Sequence, residues 1–137
     1  MAFAGVTPGA VVGVGIDVVE VARFRDVLTR RPGIADRVFS DDERSYANRR
    51  RDPSEPLAAR FAAKEAVLKA MGVGLWQVPL RAVEVVRADG GEPGVRLTGK
   101  AEELAARLGI TAWRLSLAHT SASAHAVVLA LRDTTSP

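Results

Sequence analysis

The chain has 137 residues, 47% of them hydrophobic and 26% charged, which is the make-up of one folded soluble domain and excludes a largely disordered chain. It contains no cysteine, so disulfides, thiolate metal sites and a cysteine nucleophile are ruled out, as suits an intracellular, cytoplasmic protein. The net charge of +3 is interspersed and favours an acidic partner only mildly; the one compact basic run, Arg49 to Arg51, lacks zinc-finger spacing or an aromatic-basic RNA motif, and nucleic acid is set aside.

In chain order, the uncharged opening from Met1 to Ile16 has no basic region and is broken by Gly5, Pro8, Gly9, Gly13 and Gly15, which makes a poor signal peptide. "VVGVGID" reads as a short apolar strand. The sequence then switches to helical spacing, with Val21, Phe24 and Leu28 on one face and Asp17 at the junction. The prolines and charges from Arg30 to Pro56 predict loops around one short helix, Ser40 to Arg49, with Ser40 and Glu43 in capping-box positions. A helix over Leu57 to Met71 follows, then the glycine-rich "GVGLWQVP". Two strand-like runs flank a turn at Asp89 to Pro93. "KAEELAARLG" reads as a helix closed by Gly109, and "WRLSLAHT" with "HAVVLALR" as a final strand pair. The uncharged run Leu115 to Leu131 carries Ser, His and Thr, so it reads as strands rather than a membrane span. The pattern predicts a single α+β domain, 1–137, with a mainly antiparallel sheet and packed helices.

Two carboxylates draw the chemistry. Asp17 lies at the mouth of the first strand; it reads either as an N-cap, with Glu20 three residues on, or as a ligand. Glu65, in "FAAKEAVLKAMG", projects between Phe61 and Leu68 and so toward the core, where a carboxylate needs a charge partner, a proton or a cation. Arg60 or Lys69 would serve as an ion-pair partner. Alternatively, Asp17 and Glu65 together hold Mg²⁺, which prefers oxygen ligands and completes its shell with water and substrate phosphates. Lys64 and Lys69 then read as phosphate counter-charges, or else as solvated helix lysines. "GVGID" and "GVGLW" are neither a dinucleotide fingerprint nor a P-loop. His119 shares a strand face with Leu117 and Leu115.

Taken together, "GVGIDVVEVARF", "RVFSDDE", "ARFAAKEAVLKAMG" and "RLSLAHTSASAHAVVLA" resemble the holo-acyl-carrier-protein synthase family of 4'-phosphopantetheinyl transferases, from about Val11 to Leu131. The resemblance implies that family's fold, with a core over about 11–131, and transfer of phosphopantetheine from coenzyme A to a serine of apo acyl carrier protein, releasing adenosine 3',5'-bisphosphate. It also implies Asp17 and Glu65 as Mg²⁺ ligands and a homotrimer with active sites between chains. On that footing Glu65, directly or through a water on the metal, is the candidate base. Lys64 steadies the pyrophosphate, and Lys69, His119 and Thr120 meet the coenzyme. "GGEP" edges the adenine or 3'-phosphate pocket, and Arg23, six residues after Asp17 as in the family, receives the acidic carrier protein; Arg30 joins it on helix geometry alone, seven residues on along the same face, which otherwise reads as a solvated one. The competing classes are a non-catalytic binding module on the same fold and a nucleic-acid-binding domain, separated from it by Mg²⁺-dependent turnover and by salt-sensitive nucleic-acid binding.

Overall fold

The first strand, β1 (Val11–Glu20), does not stop at Asp17 but runs on to Glu20. Valine and isoleucine at alternate positions suit a pleated, half-buried surface, and the strand pairs antiparallel with the last strand, setting Asp17 opposite Ala126. The helix α1 (Val21–Arg30) starts from Glu20, which makes no side-chain cap. The N-cap reading of Asp17 is therefore corrected, since a residue four places before the helix lies outside its cap geometry.

In the computed structural model, residues 10–74, 77–87 and 90–133 are described. The stretch 1–9 of the signal-peptide reading, Leu75 and Trp76 of the glycine-rich connection, and Ala88 and Asp89 of the hairpin turn lie outside them. After α1 come α2 (Gly33–Val38), α3 (Asp41–Asn48) and α4 (Ser54–Ala70). A 3₁₀ turn (Leu80–Ala82) leads into β2 (Val83–Arg87) and β3 (Pro93–Leu97), and α5 (Gly99–Leu108), β4 (Ala112–His119) and β5 (Ser123–Leu131) complete the chain. The short α2 falls where loops are expected from sequence. The capping box is present on α3: Glu43 N–H donates to Ser40 Oγ at 3.2 Å and Ser40 N–H donates to the Glu43 carboxylate at 2.9 Å. Gly109 ends α5 in the left-handed region at φ 78°, a conformation glycine adopts without penalty.

All strand pairing is antiparallel, but in two sheets: β1-β5-β4, with β5 central, and the separate hairpin β2-β3. The uncharged run Leu115 to Leu131 does form paired strands, and no helix among the described residues is long and apolar enough to cross a membrane. Helix α4 lies across the inner face of the larger sheet. Its Ala62, Ala66 and Ala70 pack in one core with Ala126, Val128 and Ala130 of β5, and small residues on both sides permit a close approach. On β1 the approach is closer still: a Cβ on Gly15 would lie 1.8 Å from the Ala66 carbonyl oxygen, and one on Gly13 would lie 1.9 Å from that of Ala70. The two glycines of "GVGID", which fit no nucleotide fingerprint, are where strand and helix backbones touch.

The other sides of α4 are covered by α1, α3 and β2, so the helix is buried nearly all round rather than along one stripe. A second core cluster, with Val21, Phe24, Phe39, Leu57 and Ala58, fills the space beneath α1. Within it the Phe24 ring meets Phe39 edge-on at 6.2 Å and Phe61 at 5.2 Å between centroids.

Candidate active site

Period-two alternation sends Gly13, Gly15, Asp17 and Val19 of β1 inward and leaves Val14, Ile16 and Val18 exposed. Asp17 therefore sits on the row that touches α4, one repeat beyond the second glycine contact. Facing it is the stripe that stays incompletely buried beyond the first turn of that helix: Phe61, Glu65 and Lys69, spaced i, i+4, i+8. The core-facing placement of Glu65 is thus corrected. It is half-buried on the open side, because the neighbours that bury the rest of α4 stop short of this edge.

Lys69 Nζ donates to Asp17 Oδ1 and to the Ile16 carbonyl, each at 3.0 Å. This ammonium belongs to Asp17, and no salt bridge joins it or Arg60 to Glu65. Burial first, and the negative charge of Asp17 second, push the Glu65 carboxyl above the ordinary carboxylate range, with Lys69 opposing them. Two half-buried carboxylates that repel each other and offer only oxygen suit a hard divalent cation such as Mg²⁺. Among the described residues no third ligand completes a cluster of three His, Asp or Glu, so the remaining positions of such an ion would fall to water and to substrate oxygens.

Lys64 is not part of this site. Its side chain is fully buried and its ammonium pairs with Glu43 at 2.7 Å. It also donates to the carbonyl of Leu80 at 3.1 Å and to that of Val83. Its three N–H donors are therefore committed inside the protein. The expectation that Lys64 steadies pyrophosphate oxygens is corrected on this geometry: neighbouring helix residues point about 100° apart, and only Glu65 of the pair reaches the open stripe. Burial pushes the Lys64 ammonium below the usual lysine range, with Glu43 opposing.

The other side of α4 carries a basic cavity of about 390 Å³ between α3, α4 and β2. There the Arg60 guanidinium lies 4.1 Å above the Tyr46 ring, and Arg87 lies 5.1 Å from the same ring. Arg49 and Arg96 add to the positive lining, Arg96 as the ion-pair partner of Glu84, and Asp42, Glu43 and Glu84 line the cavity beside them. Arg60 is 3% exposed and its Nε has no hydrogen-bond partner. Such a buried donor is costly to leave unpaired, and burial lowers its pKa. Arg87 also donates to the Gly91 carbonyl at 2.6 Å, which ties the cavity to the "GGEP" turn. The sequence reading passed over Tyr46 and Arg87 and weighed Arg60 only as a partner for Glu65. The available signal was the i, i+4 spacing of Arg60 and Lys64 on one helix face.

His119 ends β4 exposed, beside a cavity it shares with Arg50, Arg51, Asp52, Glu55 and Pro56. Thr120 follows in the turn, where its oxygen accepts the N–H groups of Ala122 and Ser123 at 3.1 Å. Pro56 lies nine residues before Glu65 on α4, roughly 14 Å along the helix at 1.5 Å per residue, so within one chain His119 is not brought to the carboxylate pair. Arg23 and Arg30 are exposed on α1 and form no salt bridge among the described residues, whereas Arg25 pairs with Asp52 at 2.5 Å.

A model of the 4'-phosphopantetheinyl transferase superfamily matches residues 13–128, and the chain belongs to that family. Two relatives narrow the class. The chain is 51% identical over 124 residues to the holo-[acyl-carrier-protein] synthase of Frankia casuarinae, covering 88% of this chain and 98% of that protein. It is 47% identical over 123 residues to the synthase of Streptomyces avermitilis, with the same coverage of each. The solved structure of Helicobacter pylori holo-[acyl-carrier-protein] synthase in complex with coenzyme A superposes with a TM-score of 0.75 at 27% identity, covering 85% of this chain and 98% of that one.

Proposed function

We infer that the protein is a cytoplasmic holo-[acyl-carrier-protein] synthase, moving 4'-phosphopantetheine from coenzyme A to a serine hydroxyl of apo acyl carrier protein. The observation that carries this reading is the meeting of Asp17, Glu65 and Lys69 at the strand–helix contact made by Gly13 and Gly15. Asp17 and Glu65 are the residues that would hold Mg²⁺. When bound, that ion polarises the pyrophosphate and neutralises charge developing on the leaving group.

The serine oxygen attacks the β-phosphorus in line, the bond to the departing phosphate oxygen breaks, and adenosine 3',5'-bisphosphate leaves. Glu65 takes the hydroxyl proton, directly or through one water. Lys69, which sits at Asp17, is placed to meet the pyrophosphate oxygens. The basic cavity takes the phosphorylated adenosine end: its arginines offer charge-assisted hydrogen bonds to the phosphates, and Tyr46 and the two guanidinium planes offer stacking surfaces.

The same reading includes a homotrimer with shared sites. Val14, Ile16 and Val18 on β1 are 59%, 60% and 55% exposed, and Val127 of β5, opposite Ile16, is 42% exposed. A contiguous apolar sheet face of this kind marks an interaction surface, and closed cyclic symmetry covers it in every copy. His119 and Thr120 then meet coenzyme held by a neighbour's carboxylates. The exposed Arg23 and Arg30 face the carrier protein. Mass spectrometry of apo acyl carrier proteins incubated with the enzyme, coenzyme A and Mg²⁺ tests the activity: the carrier gains the phosphopantetheine mass, and failure with every carrier tried would overturn the assignment.

A further inference from the structure

The Glu43–Lys64 pair takes no part in the chemistry just described, yet both side chains are completely buried, and an ion pair is a poor choice where stability alone is needed. Apolar residues of the same volume commonly do as well or better. What a hydrogen-bonded pair supplies, and an apolar pair does not, is direction. One Glu43 oxygen receives the Ser40 amide and the Lys64 ammonium, while the other receives the Val85 amide at 3.0 Å. Lys64 adds bonds to the carbonyls of Val83 and Leu80. Two side chains thereby tie the start of α3, the middle of α4 and the register of β2 to one point.

Glu43 and Val85 also line the inner end of the basic cavity, and each anchor lies one structural repeat from the side chains that carry its aromatic and positive surface. Tyr46 is three residues beyond Glu43 on α3, and Arg60 is four residues before Lys64 on α4. Arg87 is two residues beyond Val85 on β2, hence on the same face of the strand. The guanidinium groups of Arg60 and Arg87, both drawn onto the Tyr46 ring, repel each other. We propose that Glu43 and Lys64 are positioning residues: their pair clamps α3 and β2 to α4, and so holds Tyr46, Arg60 and Arg87 in the spacing that grips the phosphorylated nucleoside end of coenzyme A. This rests on the assignment of that end to the cavity.

The test uses the double variant Glu43→Gln with Lys64→Met, which removes both charges and leaves neither stranded. Glu43→Gln with Lys64→Gln, which keeps an acceptor for the buried amides and a donor for the buried carbonyls without a charge, is the second variant if the first does not fold. Adenosine 3',5'-bisphosphate is the probe, titrated calorimetrically, with steady-state kinetics measured alongside. In the folded variant the dissociation constant for the bisphosphate and KM for coenzyme A rise together, by about tenfold to a hundredfold, the loss of one hydrogen bond to a charged group. KM for the carrier protein and kcat stay within about twofold of the parent, a split that general loosening would not produce. A folded variant with unchanged bisphosphate affinity, or with kcat reduced and KM for coenzyme A unchanged, overturns the clamp. Arg60→Gln and Arg87→Gln separate the two failures: if they weaken bisphosphate binding while the clamp variant does not, only the clamp is lost. If they leave it unchanged, the cavity assignment fails and the clamp with it.

Discussion

Substituting alanine for Gly15 puts the central piece of geometry under direct load. The added Cβ would lie 1.8 Å from the Ala66 carbonyl oxygen, where contacts under 3.0 Å are essentially never seen. Strand and helix must therefore separate by at least 3.0 − 1.8 = 1.2 Å at that point. The obstructing atom is backbone in the middle of α4 and cannot rotate away, so the cost falls near the upper end of the overpacking range, about 3 kcal/mol. At roughly 3–4 °C per kcal/mol for a chain of this length, that lowers Tm by about 10 °C. Asp17 follows two residues along the same face of β1, so the same separation carries it away from Glu65. A displacement near 1 Å costs on the order of a hundredfold in rate. Calorimetry and the mass-spectrometric transfer assay, run well below the variant's Tm, read the two effects separately. Gly33→Ala is the control, because a Cβ there meets nothing within 4 Å; it leaves both quantities near the parent values. A Gly15→Ala protein with parental Tm and parental turnover would refute the reasoning, since the strand–helix contact would then be neither close nor linked to the carboxylates.

Asp17→Ala abolishes transfer while the chain stays folded by circular dichroism; a folded variant with full turnover removes Asp17 from the metal site. Glu65 carries a pH signature. Its pKa is higher in the folded than in the unfolded chain, so the native state holds the proton more tightly and metal-free stability falls as pH rises from the ordinary carboxylate range through the raised value. Glu65→Gln removes that loss, so in chelator at neutral pH its Tm exceeds that of the parent, while transfer disappears and Mg²⁺ no longer stabilises it. Arg23→Glu raises KM for the carrier protein by several-fold at low salt and leaves KM for coenzyme A in place, because an exposed charge steers the macromolecular partner; equal carrier kinetics would count against α1 as the docking face. Ile16→Arg puts a charge in the centre of the exposed sheet face, and the proposed assembly predicts trimer for the parent and monomer for the variant by light scattering; an assembly indifferent to that charge would place the interface elsewhere.

Much of this architecture is legible locally. The capping box at Ser40 and Glu43, the left-handed Gly109 and the alternation along "WRLSLAHT" report their elements because a cap, a positive φ and a two-residue period are decided by neighbours in sequence. The four motifs also sufficed to name the family, and Asp17 and Glu65 stood out because carboxylates are unusual beside apolar runs. What local pattern could not decide is which way each face of a buried helix looks. Lys64 and Lys69 share a helix and are five residues, about 140°, apart; one is sealed against Glu43 and the other meets Asp17, solely because the hairpin covers one side of α4 and β1 lies along the other. Gly13 and Gly15 match no motif, and their reason, two carbonyl oxygens of a helix some fifty residues later, exists only once the chain has folded. The stack of Tyr46, Arg60 and Arg87 likewise joins three elements with no shared sequence period. Periodicity shows how a segment can be buried; only the tertiary structure sets what buries it, because that depends on the packing of partners distant in the chain.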